Sequence, residues 1–119
     1  LCLVTDSMAT LAAPDAAFTI NGKRIALQGG RLADAEGRLA GAHLAMDEAV
    51  RNMCHLGGAR RAQALRMAST TPAEALGLGA ELGRIAPGYR ASVTLLGDDL
   101  HALGTIVDGQ LPDGVRASG

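Results

Sequence analysis

Apolar residues are spaced differently in successive parts of this chain, and each spacing predicts a different element. Residues 1–4 read LCLV without alternation, which is typical of a strand covered on both faces, as in a parallel sheet. Between residues 18 and 27, two short β-prone runs flank Asn21-Gly22, the strongest local signal for a β-hairpin. Residues 34–37, DAEG, then predict a turn. One buried strand followed by a small β region is therefore expected.

Helical spacing replaces this pattern near residue 44. Met46, Val50 and Met53 recur at intervals of four and three residues and so form an apolar stripe about three turns long. Glycines at positions 57 and 58 predict where this helix ends. A second helix is expected over residues 60–68, because alanine and leucine recur along one side of it.

A third helix is predicted to begin at Thr71. Threonine at the N-cap, Pro72 at the first helical position and Glu74 at the third would form a capping box. Three short strands are expected after this helix, over residues 83–85, 92–96 and 105–109. The two β regions can pair into one small sheet, and the residues beyond Pro112 are expected to be disordered.

Composition narrows the classes of protein to which this chain can belong. Its 119 residues carry 11 basic and 12 acidic side chains, a formal charge of −1, which gives no reason to expect a nucleic acid or an anionic membrane as partner. No window reaches the ~20 apolar residues that a membrane helix needs. Cys2 and Cys54 form no C-x-x-C pair and are expected to be reduced thiols in a cytoplasmic protein.

Several stretches of this chain carry a family resemblance. They are LVTDSM at residues 3–8, GRLAG at 37–41, MDEAVRN at 46–52, LRMAS with TPA between 65 and 73, and GRIAPG at 83–88. In order and spacing they resemble the C-terminal part of the amidohydrolase superfamily, above all its N-acetylglucosamine-6-phosphate deacetylase branch. The last stretch is shared across the superfamily, whereas Leu39, Ala40 and Gly41, some 33 residues after Asp6, favour the deacetylase branch.

The resemblance implies an α/β fold that is the C-terminal piece of a metal-dependent (β/α)₈ barrel, with part of a small β-sandwich domain. It implies the following divisions: residues 1–16 as the last barrel strand and catalytic loop, 17–36 as a β-hairpin region, 37–80 as the substrate loop and C-terminal barrel helices, 81–110 as strands of the small β domain, and 111–119 as a disordered tail. On this interpretation the chain begins within the core of a longer enzyme.

The resemblance also implies a reaction and a site. The reaction is hydrolysis of the N-acetyl group of N-acetylglucosamine-6-phosphate, which gives glucosamine-6-phosphate and acetate. Asp6 matches the family's catalytic aspartate, a carboxylate that takes a proton from the attacking water and passes it to the leaving nitrogen. Leu39, Ala40 and Gly41 match a loop that contacts the sugar. From the residues alone, a cap of the next turn is the favoured interpretation of Asp6, and residues 39–41 could equally form an ordinary turn.

The cofactor implied by the resemblance is a divalent metal, zinc or iron, whose ligands lie on earlier barrel strands and are not expected in this chain. The full-length relatives are expected to be homodimers. His43, His55 and His101 are too scattered for a metal site and are expected to be structural or solvated. Asp98-Asp99 predicts a turn, since adjacent side chains point apart.

Two alternatives remain open from the sequence. The chain could belong to another amidohydrolase branch, such as a dihydroorotase-like or adenine-deaminase-like enzyme, because Ala42 stands where deacetylases often carry a hydroxyl. It could also be a non-catalytic α+β interaction module. An exposed apolar strand at residues 1–4 argues against such a module, and the piece alone is expected to be inactive.

Overall fold

A computed structural model describes residues 1–11 and 13–111 of the chain and gives them a mixed α/β architecture. In chain order the elements are β1 (Ala17–Ile20), β2 (Lys23–Gln28), β3 (Arg31–Ala33), α1 (Met46–His55), α2 (Arg61–Ala68), α3 (Thr70–Ala75), β4 (Val93–Leu96) and β5 (Ala102–Ile106). The chain divides into two compact units, one of Leu1–Leu3 with the residues from Val50 onward and one of Val4–Ala49. The tail predicted beyond Pro112 lies outside the described residues.

The predicted hairpin is confirmed in the second unit. Strands β1 and β2 are antiparallel and pair Ile20 with Lys23 across a two-residue turn. Asn21 and Gly22 both have positive φ, 49° and 75°, as a type I′ turn requires. Strand β3 extends this sheet in the order β1-β2-β3. Ile25 and Leu32 are its buried residues, with 3% and 0% of their surfaces exposed.

Strands β4 and β5 form a second, separate antiparallel sheet. The expectation that the two β regions pair into one sheet is therefore wrong. The last strand also ends at Ile106 rather than at residue 109, because Asp108 and Gly109 adopt positive φ and turn the chain. Strand formation near the C-terminal end is thus limited by a local turn signal.

The strand predicted over residues 83–85 is absent from the structure, and 90% of the surface of Ile85 is exposed. The backbone here packs on a helix instead of pairing in a sheet. The hydroxyl of Thr70 donates to the carbonyl of Gly83 at 2.6 Å, and Arg84 forms an ion pair with Glu74 at 2.9 Å. Both partners belong to α3, so the helix supplies the hydrogen bond to the Gly83 carbonyl that a neighbouring strand would otherwise supply.

The buried strand predicted over residues 1–4 is also absent, since Leu1 and Val4 are 84% and 79% exposed. A strand in a parallel sheet needs hydrogen-bonding neighbours. Among the described residues, the parallel pairing in this part of the chain is a single bridge between Ser7 and Ala42. Leu3 instead donates its amide to the carbonyl of Met67 at 2.9 Å. The prediction of a buried strand over residues 1–4 is therefore wrong for this structure.

The predicted helices are present, with one wrong boundary. Helix α1 ends before Gly57-Gly58 as expected, and Gly58 has a φ of 69°. Helix α3 begins at Thr70 with Ser69 at the N-cap, so the capping box at Thr71 is wrong. Thr70 has its hydroxyl on Gly83, and Pro72 falls in the first turn, where a missing N–H costs nothing.

A small apolar core in the first unit lies between α1, α2 and the turn that precedes β5. Val50, Ala64 and Leu100 are buried together, and the partly buried residues packed on them are Leu3, Met53, Cys54, Ala59, Leu65, Ala68 and Leu96. Arg61 donates to the carbonyl of Asp98 at 2.7 Å, which fixes the predicted Asp98-Asp99 turn against α2. No helix among the described residues is long and apolar enough to cross a membrane.

The predicted turn at residues 34–37 is confirmed and is held by a buried carboxylate. Asp34 accepts the backbone N–H of Arg38 at 2.9 Å and its guanidinium at 2.8 Å. These bonds favour the ionised form and lower the pKa of Asp34 from 3.8 to about 2. Arg38 in turn pairs with Glu36 at 2.8 Å, so the turn is a small network of charges.

Asp34→Asn is therefore expected to make the thermal stability of the chain depend less on pH in the acidic range. A lowered carboxyl pKa stabilises the fold above the unfolded value of 3.8, and this stabilisation is lost as pH falls toward about 2. Tm of the wild-type chain should exceed that of Asp34→Asn near neutrality, and the gap should close as pH approaches 2. Thermal melts over this pH range would measure the difference in Tm, with Asp15→Asn, at an exposed position, as the control. A difference that stayed constant with pH would contradict the stabilising role of the ionised Asp34.

Candidate active site

Asp6 is held beside the predicted substrate loop by main-chain hydrogen bonds. Its carbonyl accepts the amide of Ala42 at 2.9 Å, and the amide of Met8 donates to the carbonyl of Ala42 at 3.1 Å. Asp6 itself has a φ of 51°, a left-handed conformation that Asp and Asn tolerate better than most residues. Its side chain is exposed. The carboxylate is thus free to meet a ligand while its backbone is fixed.

The loop of Leu39, Ala40 and Gly41, called the 39–41 loop below, is anchored at its other end to the sheet. The amide of Ala40 donates to the carbonyl of Leu32 at 2.9 Å, and Leu39 forms a bridge with Ala33. The side chain of Leu39 is 66% exposed. The loop therefore runs from strand β3 directly to the backbone of Asp6.

Gly41 allows the loop to approach the residues after Asp6. Its φ is 97°, and a Cβ at this position would overlap the Cγ of Met8 and lie 3.4 Å from the carbonyl oxygen of Asp6. A side chain here would therefore have to displace Met8. The structure brings together the two elements that the sequence predicts as a site, while their chemical roles stay predictions.

Two further contacts join the same segments, and sequence reasoning missed both. The hydroxyl of Ser7 donates to the carbonyl of Leu44 at 2.5 Å. The Oγ1 atom of Thr10 lies 3.0 Å from Nδ1 of His43, and Thr10 is only 3% exposed. These partners lie 37 and 33 residues apart in sequence, so no local pattern could have indicated them.

The described residues do not provide a metal site. Among them, no group of three or more His, Cys, Asp or Glu side chains could hold an ion, whereas zinc sites use three or four protein ligands. His55 is exposed at the end of α1, and the backbone of His101 donates to Asp99 at 3.1 Å. What the site offers is one accessible carboxylate beside a loop in which Ala40 and Gly41 carry little or no side chain.

A carboxylate on a turn beside a glycine-containing loop does not by itself identify a class of protein. Comparison of the whole chain with known proteins does. The chain belongs to the amidohydrolase family, whose model matches residues 3–112; this family is generally metal-dependent. It is 42% identical over 111 residues to the N-acetylgalactosamine-6-phosphate deacetylase of Escherichia coli O157:H7, covering 93% of this chain and 29% of that protein. It is 36% identical over 112 residues to the N-acetylglucosamine-6-phosphate deacetylase of Haemophilus influenzae, covering 92% and 29%.

Solved structures give the same result. The crystal structure of N-acetylglucosamine-6-phosphate deacetylase from Pasteurella multocida matches with a TM-score of 0.84 and 36% identity, covering 91% of this chain and 28% of that one. The Thermotoga maritima enzyme matches with a TM-score of 0.79 and 32% identity, covering 93% and 30%. The predicted resemblance is confirmed, and the non-catalytic module is not favoured. The chain spans less than a third of the length of these four relatives.

Proposed function

We propose that this chain is the C-terminal part of an amidohydrolase that converts N-acetylglucosamine-6-phosphate to glucosamine-6-phosphate and acetate. The observation that carries the proposal is the match of 91% of the chain to a deacetylase structure at a TM-score of 0.84. The adjacency of Asp6 and Ala42, joined at 2.9 Å, supports it. In such a protein, residues 1–16 would complete a (β/α)₈ barrel and residues 81–110 would belong to a small β domain.

Asp6 acts as the proton carrier in this proposal. Amide hydrolysis requires a proton to leave the attacking water and a proton to reach the departing nitrogen. The carboxylate of Asp6 accepts the first as the C–O bond forms, and returns it to nitrogen as the C–N bond breaks. The described residues contain no group of three ligands that could by itself hold the family's divalent metal, zinc or iron, so the role proposed for Asp6 is limited to this proton.

The 39–41 loop binds the sugar in this proposal. Ala40 and Gly41 carry little or no side chain, so a ligand can approach their backbone groups closely. Leu39, with 66% of its surface exposed, offers an apolar surface to a sugar ring. A cytoplasmic setting is part of the same proposal, because Cys2 and Cys54 are both free thiols.

N-acetylgalactosamine-6-phosphate is a second candidate substrate. The observation in its favour is the 42% identity to the Escherichia coli O157:H7 enzyme, compared with 36% to the Haemophilus influenzae enzyme. The two sugars differ in the configuration of one ring hydroxyl. The choice between them therefore concerns one hydrogen-bonding group and not the reaction.

Acetate release by the complete polypeptide that the gene encodes tests the proposal. The protein would be loaded separately with zinc and with iron(II), then given both sugar phosphates and unphosphorylated N-acetylglucosamine. We expect kcat/KM for N-acetylglucosamine-6-phosphate to exceed that for the unphosphorylated sugar at least about tenfold, since charged hydrogen bonds to phosphate are strong. If kcat/KM were higher for N-acetylgalactosamine-6-phosphate, that sugar would replace N-acetylglucosamine-6-phosphate as the proposed substrate. Folded, metal-loaded protein that releases no acetate from either phosphate would refute the proposal.

A further inference from the structure

A side-chain pair spans the two segments that make up the candidate site. Thr10 lies four residues after Asp6 along the chain, and His43 lies two residues after Gly41. Their side chains meet at 3.0 Å between Oγ1 and Nδ1. Thr10 is 3% exposed and His43 is half-buried, so the bond is largely shielded from competing water. A shielded hydrogen bond holds its partners more firmly than an exposed one.

We propose that Thr10 and His43 are positioning residues that hold the 39–41 loop in its substrate-binding conformation. The proposal rests on the deacetylase function proposed above. Neither residue is given a chemical step. The loop is fixed at its start through Ala40 and Leu32, at 2.9 Å. At its end, the Thr10–His43 bond supplements the main-chain bonds of Ala42.

This arrangement separates loop binding from catalysis. The backbone of Asp6 is tied to Ala42 by an amide hydrogen bond of 2.9 Å that involves neither Thr10 nor His43. Losing the side-chain pair should therefore make the residues that follow Gly41 open more often, while the main-chain bond still favours the closed state in which the carboxylate of Asp6 keeps its position. A threonine hydroxyl can donate or accept, so the pair forms with either tautomer of the His43 ring.

Thr10→Val, which removes the hydroxyl and keeps the shape, is the principal test. In the complete, metal-loaded polypeptide, we expect KM for the amino-sugar phosphate to rise about fivefold, the change given by a typical net hydrogen bond. We expect kcat to change less than about twofold. Thr10→Ser should restore KM, and Thr19→Val, the same change at an exposed position in β1, should leave both constants unchanged.

Amide hydrogen exchange tests the same idea without using activity. In Thr10→Val, the amides of Met8 and Ala42 should exchange about fivefold faster, because the segments they join open more often. His43→Asn places a polar group where Nδ1 lies and should retain slow exchange. His43→Leu should not, and it serves as the second variant if buried Thr10→Val does not fold.

The outcomes separate the two proposals. Unchanged exchange and unchanged KM in the variants would overturn the positioning role. A fall in kcat alone, with KM unchanged and the folded fraction reduced, would show a merely structural role and would also overturn it. Suppose that exchange is faster in Thr10→Val but the wild-type protein deacetylates neither sugar phosphate. The Thr10–His43 bond would then be shown to hold the loop, and the proposed function would be refuted.

Discussion

Asp6→Asn is expected to lower kcat for deacetylation about a thousandfold, because a positioned acid–base group contributes roughly 10²–10⁴ to a rate. Asparagine has the shape of aspartate but cannot carry the proton. It also tolerates the φ of 51° found at this position, and the carbonyl that accepts the amide of Ala42 is unchanged. KM should therefore stay within about twofold, as for an interaction made only in the transition state.

Asp108→Asn is the matched control for this substitution. Asp108 is also exposed and has a φ of 48°, so the same atoms change in a similar backbone conformation. Steady-state kinetics of both variants, in the complete metal-loaded polypeptide, would separate loss of the base from any effect of asparagine on a turn. If Asp6→Asn retained more than about a tenth of the wild-type kcat, the catalytic role of Asp6 would be wrong.

Gly83→Ala is expected to lower the free energy of unfolding by about 4 kcal/mol, the sum of backbone strain and overpacking. Gly83 has a φ of 88°, and a Cβ would lie 2.8 Å from the Cα of Thr70 and 3.0 Å from the carbonyl oxygen of Ser69. Both atoms belong to the backbone at the start of α3, so no side-chain rotation relieves the overlap. Moving the chain would also break the 2.6 Å bond from Thr70 to the carbonyl of Gly83.

Gly88→Ala provides a control with the same backbone angle. Its φ is also 88°, but a Cβ there has no atom within 4 Å. It should cost about 1.5 kcal/mol, the penalty of a left-handed conformation alone. Denaturant unfolding of both variants would measure the difference, which reports the contact with α3. Equal losses of stability would mean that the contact between residues 69–70 and Gly83 does not constrain the fold.

The elements that the sequence predicts correctly are those determined by neighbouring residues. Asn21-Gly22 specifies its own turn through two positive φ angles, and the stripe of Met46, Val50 and Met53 defines one face of α1. The errors occur where a distant partner decides. Thr70 uses its hydroxyl on Gly83, 13 residues away, so the capping box at Thr71 and the strand over residues 83–85 fail together.

The candidate site divides in the same way. Asp6 and the 39–41 loop were indicated by a family resemblance and not by a local pattern, and a single sequence could not show that they touch. Nothing in the sequence indicated that Thr10 belongs to the site, because a threonine in an alanine-rich stretch is typical of an ordinary turn. Its partner His43 lies 33 residues away. Only the fold brings a buried hydroxyl to that imidazole.

The bonds between Asp6, Met8 and Ala42 consist of main-chain groups. An amide N–H is the same for every residue except proline, so substitutions of the side chain at position 42 can accumulate without moving the carboxylate. If Asp6 carries the proton and the 39–41 loop binds the sugar, as proposed, selection for a different sugar could act on the loop while leaving Asp6 in place. Proline at position 42 is the exception, since it would remove the amide that donates to the carbonyl of Asp6 and leave only the bond from Met8 between the two segments. In evolutionary terms, the proposed site would allow specificity and reactivity to diverge independently.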